Sequence, residues 1–159
     1  MKRIIMIIAL CFTFMSIPGC SNGAQGLFTH EKIHERAQQG DSDAQFKLGV
    51  MYQLGRGEIQ SYTEAIKWYY VAAEQGHVGA QYRLGVMYDV GRGVPRDYVQ
   101  AHKWINLTIN YRSIDVFYML SWYRGDLERK MTREQIATAQ KLALEWKPKT
   151  WEELKTQLK

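Results

Sequence analysis

The chain has 159 residues, with 21 Lys and Arg against 16 Asp and Glu, a formal charge of +5, two cysteines and three prolines. That length suits one modest domain, and 46% apolar content excludes both a disordered chain and one that is membrane-embedded throughout. Cys11 and Cys20 alone build neither a disulfide framework nor a four-ligand zinc site.

The first elements form an address. Lys2 and Arg3 precede an unbroken apolar run, Ile4 to Phe12, continued by Phe14, Met15 and Ile17. A basic start and a short apolar centre describe a secretory signal, too short for the roughly 20 residues of a spanning helix. The run closes Ile17-Pro18-Gly19-Cys20, which resembles the bacterial lipobox and implies lipidation of Cys20 after removal of residues 1–19. Ordinary cleavage near Ala24, leaving a soluble periplasmic or secreted protein, is the alternative. Ser21 after the cysteine implies, by the sorting pattern of such lipoproteins, the outer membrane facing the periplasm. Processing leaves 19 basic and 16 acidic residues, +3, with the surplus gathered beyond residue 120. So weak a charge on an exported chain argues against nucleic-acid binding.

After an expected linker over 20–27, His30-Glu31-Lys32-Ile33-His34 spells H-E-x-x-H, the helical spacing that places two imidazoles and a general base at a zinc ion. Lys32 inside the motif and Glu35-Arg36 after it describe instead a solvated face. An amphipathic capping helix that buries Phe28, Ile33 and Ala37 is the preferred reading. Glu58 or Glu64 would be a third ligand, but nothing in the local pattern aims either one. No metal and no cofactor are expected.

From residue 44 the chain repeats. Residues 44–68 and 80–104 are identical at 14 of 25 positions at a shift of 36, and the pattern continues weakly through Tyr118, Leu120 and Ser121. Each unit reads as two helices. Asp41 to Asp43 offer caps for a helix from Ala44 to Leu54, which Gly55-Arg56-Gly57 breaks. Ser61 to Glu64 opens a second helix running to about Gln75, with Gly76 as its stop. Gly91-Arg92-Gly93 and Asp97 to Gln100 repeat this grammar. Gly49 and Gly85 lie mid-helix, where glycine costs about 0.8–1 kcal/mol relative to Ala. Recurrence at the repeat period marks them as points of close helix approach.

Ala44, Leu48, Gly49, Tyr52, Gly55, Gly57, Ala65, Trp68, Ala72, Ala73 and Gly76, repeated from Ala80 to Trp104, resemble the Sel-like repeat, a relative of the tetratricopeptide repeat. Leu127, Met131, Gln135-Ile136-Ala137 and Trp146 are similar to the end of many bacterial members. The resemblance covers about residues 30–148. It implies an all-α, right-handed solenoid of stacked helix-turn-helix units over 28–131, with full units at 44–79 and 80–115, that serves as a scaffold for protein partners without catalysis. Gly125 after Arg124 predicts a bend in the third unit. Thr132 to Gln135 opens a helix ending near Trp146 and Lys147-Pro148, and Thr150 to Glu153 starts a short last one. Together, residues 132–159 are expected to cap the stack, with Ile136, Ala139, Leu142 and Ala143 inward.

By analogy with the tetratricopeptide pattern, the first helices line the concave side. They would present Phe46, Val50 and Gln53, then Tyr82, Arg83, Val86 and Asp89, then Tyr118 and Trp122, flanked by Lys47. The same rings would also serve as packing between units, and both readings stay open. The functional expectation is a monomeric adaptor of the cell envelope that binds another protein and is held by its lipid anchor. An immunity protein for a secreted toxin such as a lipase is the second expectation. A zinc peptidase through His30, Glu31 and His34 is a distant third.

Overall fold

A computed structural model describes residues 21–108 and 114–158, with side chains placed for residues 30–108 and 117–156. These residues form helices α1 (Ser21–Gln38), α2 (Ser42–Leu54), α3 (Tyr62–Glu74), α4 (Val78–Val90), α5 (Tyr98–Thr108), α6 (Ile114–Arg129), α7 (Arg133–Glu145) and α8 (Trp151–Leu154), closed by a 3₁₀ turn over Lys155–Leu158. No strand occurs among them. Cys20 lies outside the described residues. The expected linker is corrected: α1 begins at Ser21, so 21–27 are helical. Once Ile33 and Ala37 anchor the C-terminal half of α1 on α2, adding residues N-terminally requires no new nucleus.

The repeat grammar becomes geometry. Asp41 caps α2 by accepting from the Ala44 amide at 2.9 Å, and Ser61 caps α3 by accepting from the Glu64 amide at 3.2 Å. Asp97 accepts from the Val99 and Gln100 amides ahead of α5. At α4 the cap is His77, whose Nδ1 accepts from the Ala80 amide at 3.1 Å. That acceptance assigns the ring proton to Nε2, which lies 3.2 Å from Asp43. Gly55 and Gly91, at φ 67° and 68°, end α2 and α4 in the left-handed conformation, returning their amides to Met51 and Met87.

Within each hairpin the two helices approach at the mid-helix glycine. A Cβ on Gly49 would stand 2.6 Å from the Tyr69 ring, and one on Gly85 would stand 2.7 Å from Ile105. Both positions are also 3.2 Å from a backbone carbonyl of the facing helix, Ala65 or Ala101. Between hairpins the core is continuous: Ala65, Tyr69, Ala72 and Ala73 of α3 meet Ala80, Leu84 and Met87 of α4, with Trp104 behind them. Alanines bring backbones close, and the rings fill what remains. Burial holds the Tyr69 phenol up at about 12, while its hydroxyl donates to Gln53 Oε1 at 2.6 Å.

The third unit departs. α6 runs through Gly125 to Arg129 as one helix. Its C-terminal half packs on α5 through Leu127, with His102 Nε2 3.0 Å from Glu128. Among the described residues α7 packs chiefly on α5 rather than on its own partner α6. Ala139 and Ala143 face inward as expected, with Ile136 and Leu142 half-buried.

The chain then returns along the stack as a strap. Trp146 lies over Gly76, the Lys149 amide donates to the Glu74 carbonyl at 2.8 Å, and Trp151 covers Gly40. Leu154 is fully buried at its end. Under the strap Glu74 is almost wholly buried, with Lys149 Nζ 3.0 Å from Oε2 and Lys103 Nζ 4.0 Å from Oε1. Burial pushes the Lys103 ammonium down, and Glu74 opposes that shift.

Candidate interaction face

The first helices of the units, α2, α4 and α6, place repeat-equivalent residues in rows. Lys47, Arg83 and Met119 form one row; Val50, Val86 and Trp122 form the next; Leu54, Val90 and Asp126 form a third. Side chains three or four apart on a helix share a face, so the rows lie side by side.

The residues expected to bind a partner divide into two groups. Phe46 stacks on the His77 ring at 4.6 Å and tilts against Tyr69 at 5.8 Å, so most of its surface is spent between units. Tyr82 packs against the Ala101, Ile105 and Leu127 cluster, and Val50 against the central core. Gln53 accepts from Tyr69, and Asp89 accepts from Tyr123 at 2.6 Å and pairs with Lys130 at 3.2 Å. Arg83 and Val86 are half-exposed. On α6, by contrast, Tyr118 is 68% exposed and Trp122 is 67% exposed. Beside them Phe117, edge-on to Tyr118 at 5.8 Å, and Met119 are also exposed. The sequence reading missed Phe117, Met119, Leu54 and Val90. The signal was present in the apolar run Phe117-Tyr118-Met119-Leu120, which is wider than a single buried stripe.

Charges sort along the same face. Its carboxylates are paired: Asp43 with His77, Asp89 with Lys130, and Asp126 with Arg129 at 2.7 Å and Lys130 at 2.9 Å. Hydrogen bonds from Lys130 hold the Asp126 carboxyl below its ordinary range. Lys47 and Arg83 have no carboxylate within 4.0 Å among the described residues. A groove of about 260 Å³ between α1 and α2, lined by Lys32, Ile33, Arg36, Ala44 and Lys47, carries the basic edge onward.

The H-E-x-x-H helix is committed to the stack. His30 sits on Gly57 and His34 Nε2 pairs with Glu58 Oε1, its ring edge-on to Tyr52 at 6.4 Å. The expectation that nothing aims Glu58 is thus corrected: the left-handed Gly57 turn directs it at α1. No group of three His, Cys, Asp or Glu side chains among the described residues is arranged to hold a metal ion. Arg92 of the second glycine turn lies over the Tyr62 ring at 5.1 Å. Of the C-terminal lysines, Lys149 serves Glu74 and Lys155 pairs with Glu152.

Comparison with known proteins agrees with this architecture. The Sel1 repeat family matches residues 42–77 and 78–107. A protective antigen of uropathogenic Escherichia coli displaying an SLR fold is similar at 32% identity and a TM-score of 0.68, over 81% of this chain and 27% of that one. A Sel1 repeat protein from Oxalobacter formigenes is similar at 32% identity and a TM-score of 0.53, over 57% of this chain and 37% of that one. The chain therefore spans well under half the length of either neighbour. A search of curated proteins gives no match. Two in-register hairpins with glycine contacts, a family match over both and the SLR neighbours together identify the chain as a Sel1-like repeat protein.

Proposed function

We propose that the chain is a non-catalytic adaptor of the bacterial cell envelope, acting as a monomer that binds another protein across α2, α4 and α6. Sel1 repeat arrays commonly act as protein-interaction scaffolds, which supports the class. The observation that carries the site is the exposed Phe117, Tyr118, Met119 and Trp122 cluster on α6, continuing the Val50–Val86 row. Tryptophan and tyrosine dominate binding energy where a partner covers them, and single exposed rings need no such explanation while a cluster does. In this proposal Cys20 carries the lipid anchor and holds the array in the outer membrane, facing the periplasm.

A photo-crosslinking residue at Trp122, expressed in cells, tests the binding reading. One discrete adduct at Trp122 and none from the same residue at Gln140 on α7 is expected; equal or absent adducts at both would remove the site. Metabolic labelling with palmitate tests the anchor, with label expected on the native chain and lost in Cys20→Ser.

A further inference from the structure

The rows of the face suggest what the partner looks like. Val50, Val86 and Trp122 form an apolar band across three helices, widened by Leu54 and Val90 at the helix ends. One row away, at the same register of α2 and α4, stand Lys47 and Arg83. Both lack a carboxylate within 4.0 Å among the described residues, although Asp43 and Asp89 lie on the same two helices and Asp126 on α6, each with a cationic or histidine partner of its own. The His77 ring, with its Nδ1 accepting, adds no positive charge to offset Asp43, which lies one turn from Lys47. Lys47, Arg83, Arg129 and Lys130 against Asp43, Asp89 and Asp126 leave this face a net excess of one positive charge, with Lys47 and Arg83 in a row parallel to an apolar band. Lys47 also lines the α1–α2 groove, which brings Lys32 to the same edge.

We infer that the bound segment is an acidic amphipathic one, its apolar side chains on the Val50–Val86–Trp122 band and its carboxylates along Lys47 and Arg83. The inference rests on the binding reading above and adds the chemistry of the occupant. A row of like charge beside an apolar stripe steers and orients an oppositely charged partner more than it adds raw affinity. Guanidinium at the central unit favours bidentate contact with a carboxylate, whereas the Lys47 ammonium acts as a point charge. A basic segment laid on the same band would meet Lys47 and Arg83 without compensation, so the face discriminates by repulsion as well.

Selection from a random displayed-peptide library on the immobilised soluble chain from Ser21 onward, which lacks the signal and the lipidated cysteine, tests this. The enriched sequences are expected to be net acidic with apolar residues three or four apart. Against K47E/R83E, confirmed folded by circular dichroism, the enriched set is expected to turn neutral or basic. A synthetic peptide of the first set should bind the double variant at least tenfold more weakly, and K141E on α7 should bind it unchanged. Enrichment without charge bias, or without change in K47E/R83E, overturns the acidic-partner inference and leaves the binding face standing. No enrichment over a blank surface removes the binding face itself. Phosphatidylglycerol vesicles that bind the native chain and not K47E/R83E would overturn the inference in favour of a lipid surface.

Discussion

Two hairpins of this molecule close and the third does not, although all three descend from one pattern. In α2/α3 and α4/α5 a bare glycine on the first helix receives a large side chain of the second, Gly49 under Tyr69 and Gly85 under Ile105. The equivalent of those glycines in α6 is Ser121, whose hydroxyl is buried without a partner. Counted from the caps Ser61, Asp97 and Thr132, the equivalent of Tyr69 and Ile105 is Gln140, which is exposed. With neither the recess nor the ring that fills it, α6 and α7 have no reason to pair, and α7 takes the apolar surface of α5. The freed end of α6 is where the large apolar side chains remain uncovered. Phe117 and Tyr118 are exposed where the closed units bury Gln45 and Gln81 and half-bury Phe46 and Tyr82, whereas Met119 and Trp122 lie on the face that Lys47, Arg83, Val50 and Val86 leave open in every unit.

The largest expected break in this contrast is in the closed units. Leu84→Ala should lose about 2–5 kcal/mol, read as a lower urea midpoint, because the fully buried side chain leaves a cavity among close-packed neighbours. Trp122→Ala should stay within about 0.5 kcal/mol despite removing far more atoms. Equal losses at both would mean that α6 is packed as tightly as α4.

Next comes the glycine recess. Gly85→Ala should destabilise by about 1–3 kcal/mol, since the added methyl meets Ile105 and the Ala101 carbonyl and outweighs the helix propensity of alanine. Ser121→Ala, at the matching position, should be neutral or stabilise by up to about 1 kcal/mol by deleting an unsatisfied hydroxyl. Opposite signs in thermal melts are the signature; matching signs would erase the distinction between the units.

Alkaline titration sharpens the same contrast. Tyr69 has its ionisation raised from 10.0 to about 12, so the folded state holds its proton more tightly than the unfolded chain. Its contribution is full below pH 10 and is lost as pH rises through about 12, amounting to up to about 3 kcal/mol. Relative to the native chain, Tyr69→Phe should be less sensitive between pH 10 and 12; parallel curves would show that this phenol is not the group responsible.

The smallest effect sits at a cap. Asp41→Ala should cost about 1 kcal/mol at neutral pH. The Ala44 amide holds the Asp41 carboxyl below 3.8, so this stabilisation is present above that value and fades as pH falls through the lowered one. The native and variant midpoints should therefore converge in acid.

The units were legible because their information is local or periodic. Asp41, Ser61 and Thr132 announce helix starts within three residues, and Gly49 and Gly85 mark their own recess by recurring at 36. What stayed hidden connects residues that share no period. His34 to Glu58, Trp151 to Gly40 and α7 to α5 depend on how completed units stack, and no spacing rule encodes them. The exposed cluster on α6 was half legible: Tyr118 and Trp122 follow from register, as Met119 does from exposed Lys47, while Phe117 stands where the closed units bury Gln45 and Gln81.

The C-terminal strap has a further consequence, in folding. A stacked array stabilises each unit through its immediate neighbours, so its ends are free to fray independently. Here Trp151 rests on Gly40 across more than a hundred residues of sequence, and Lys149 bonds Glu74 on the way. The first and last segments are therefore neighbours, and the line of units becomes a circuit. Fraying at either end must break contacts at the other, which makes the whole array melt as one body, and closing that circuit is a long-range event that sets a slower folding clock than stacking alone.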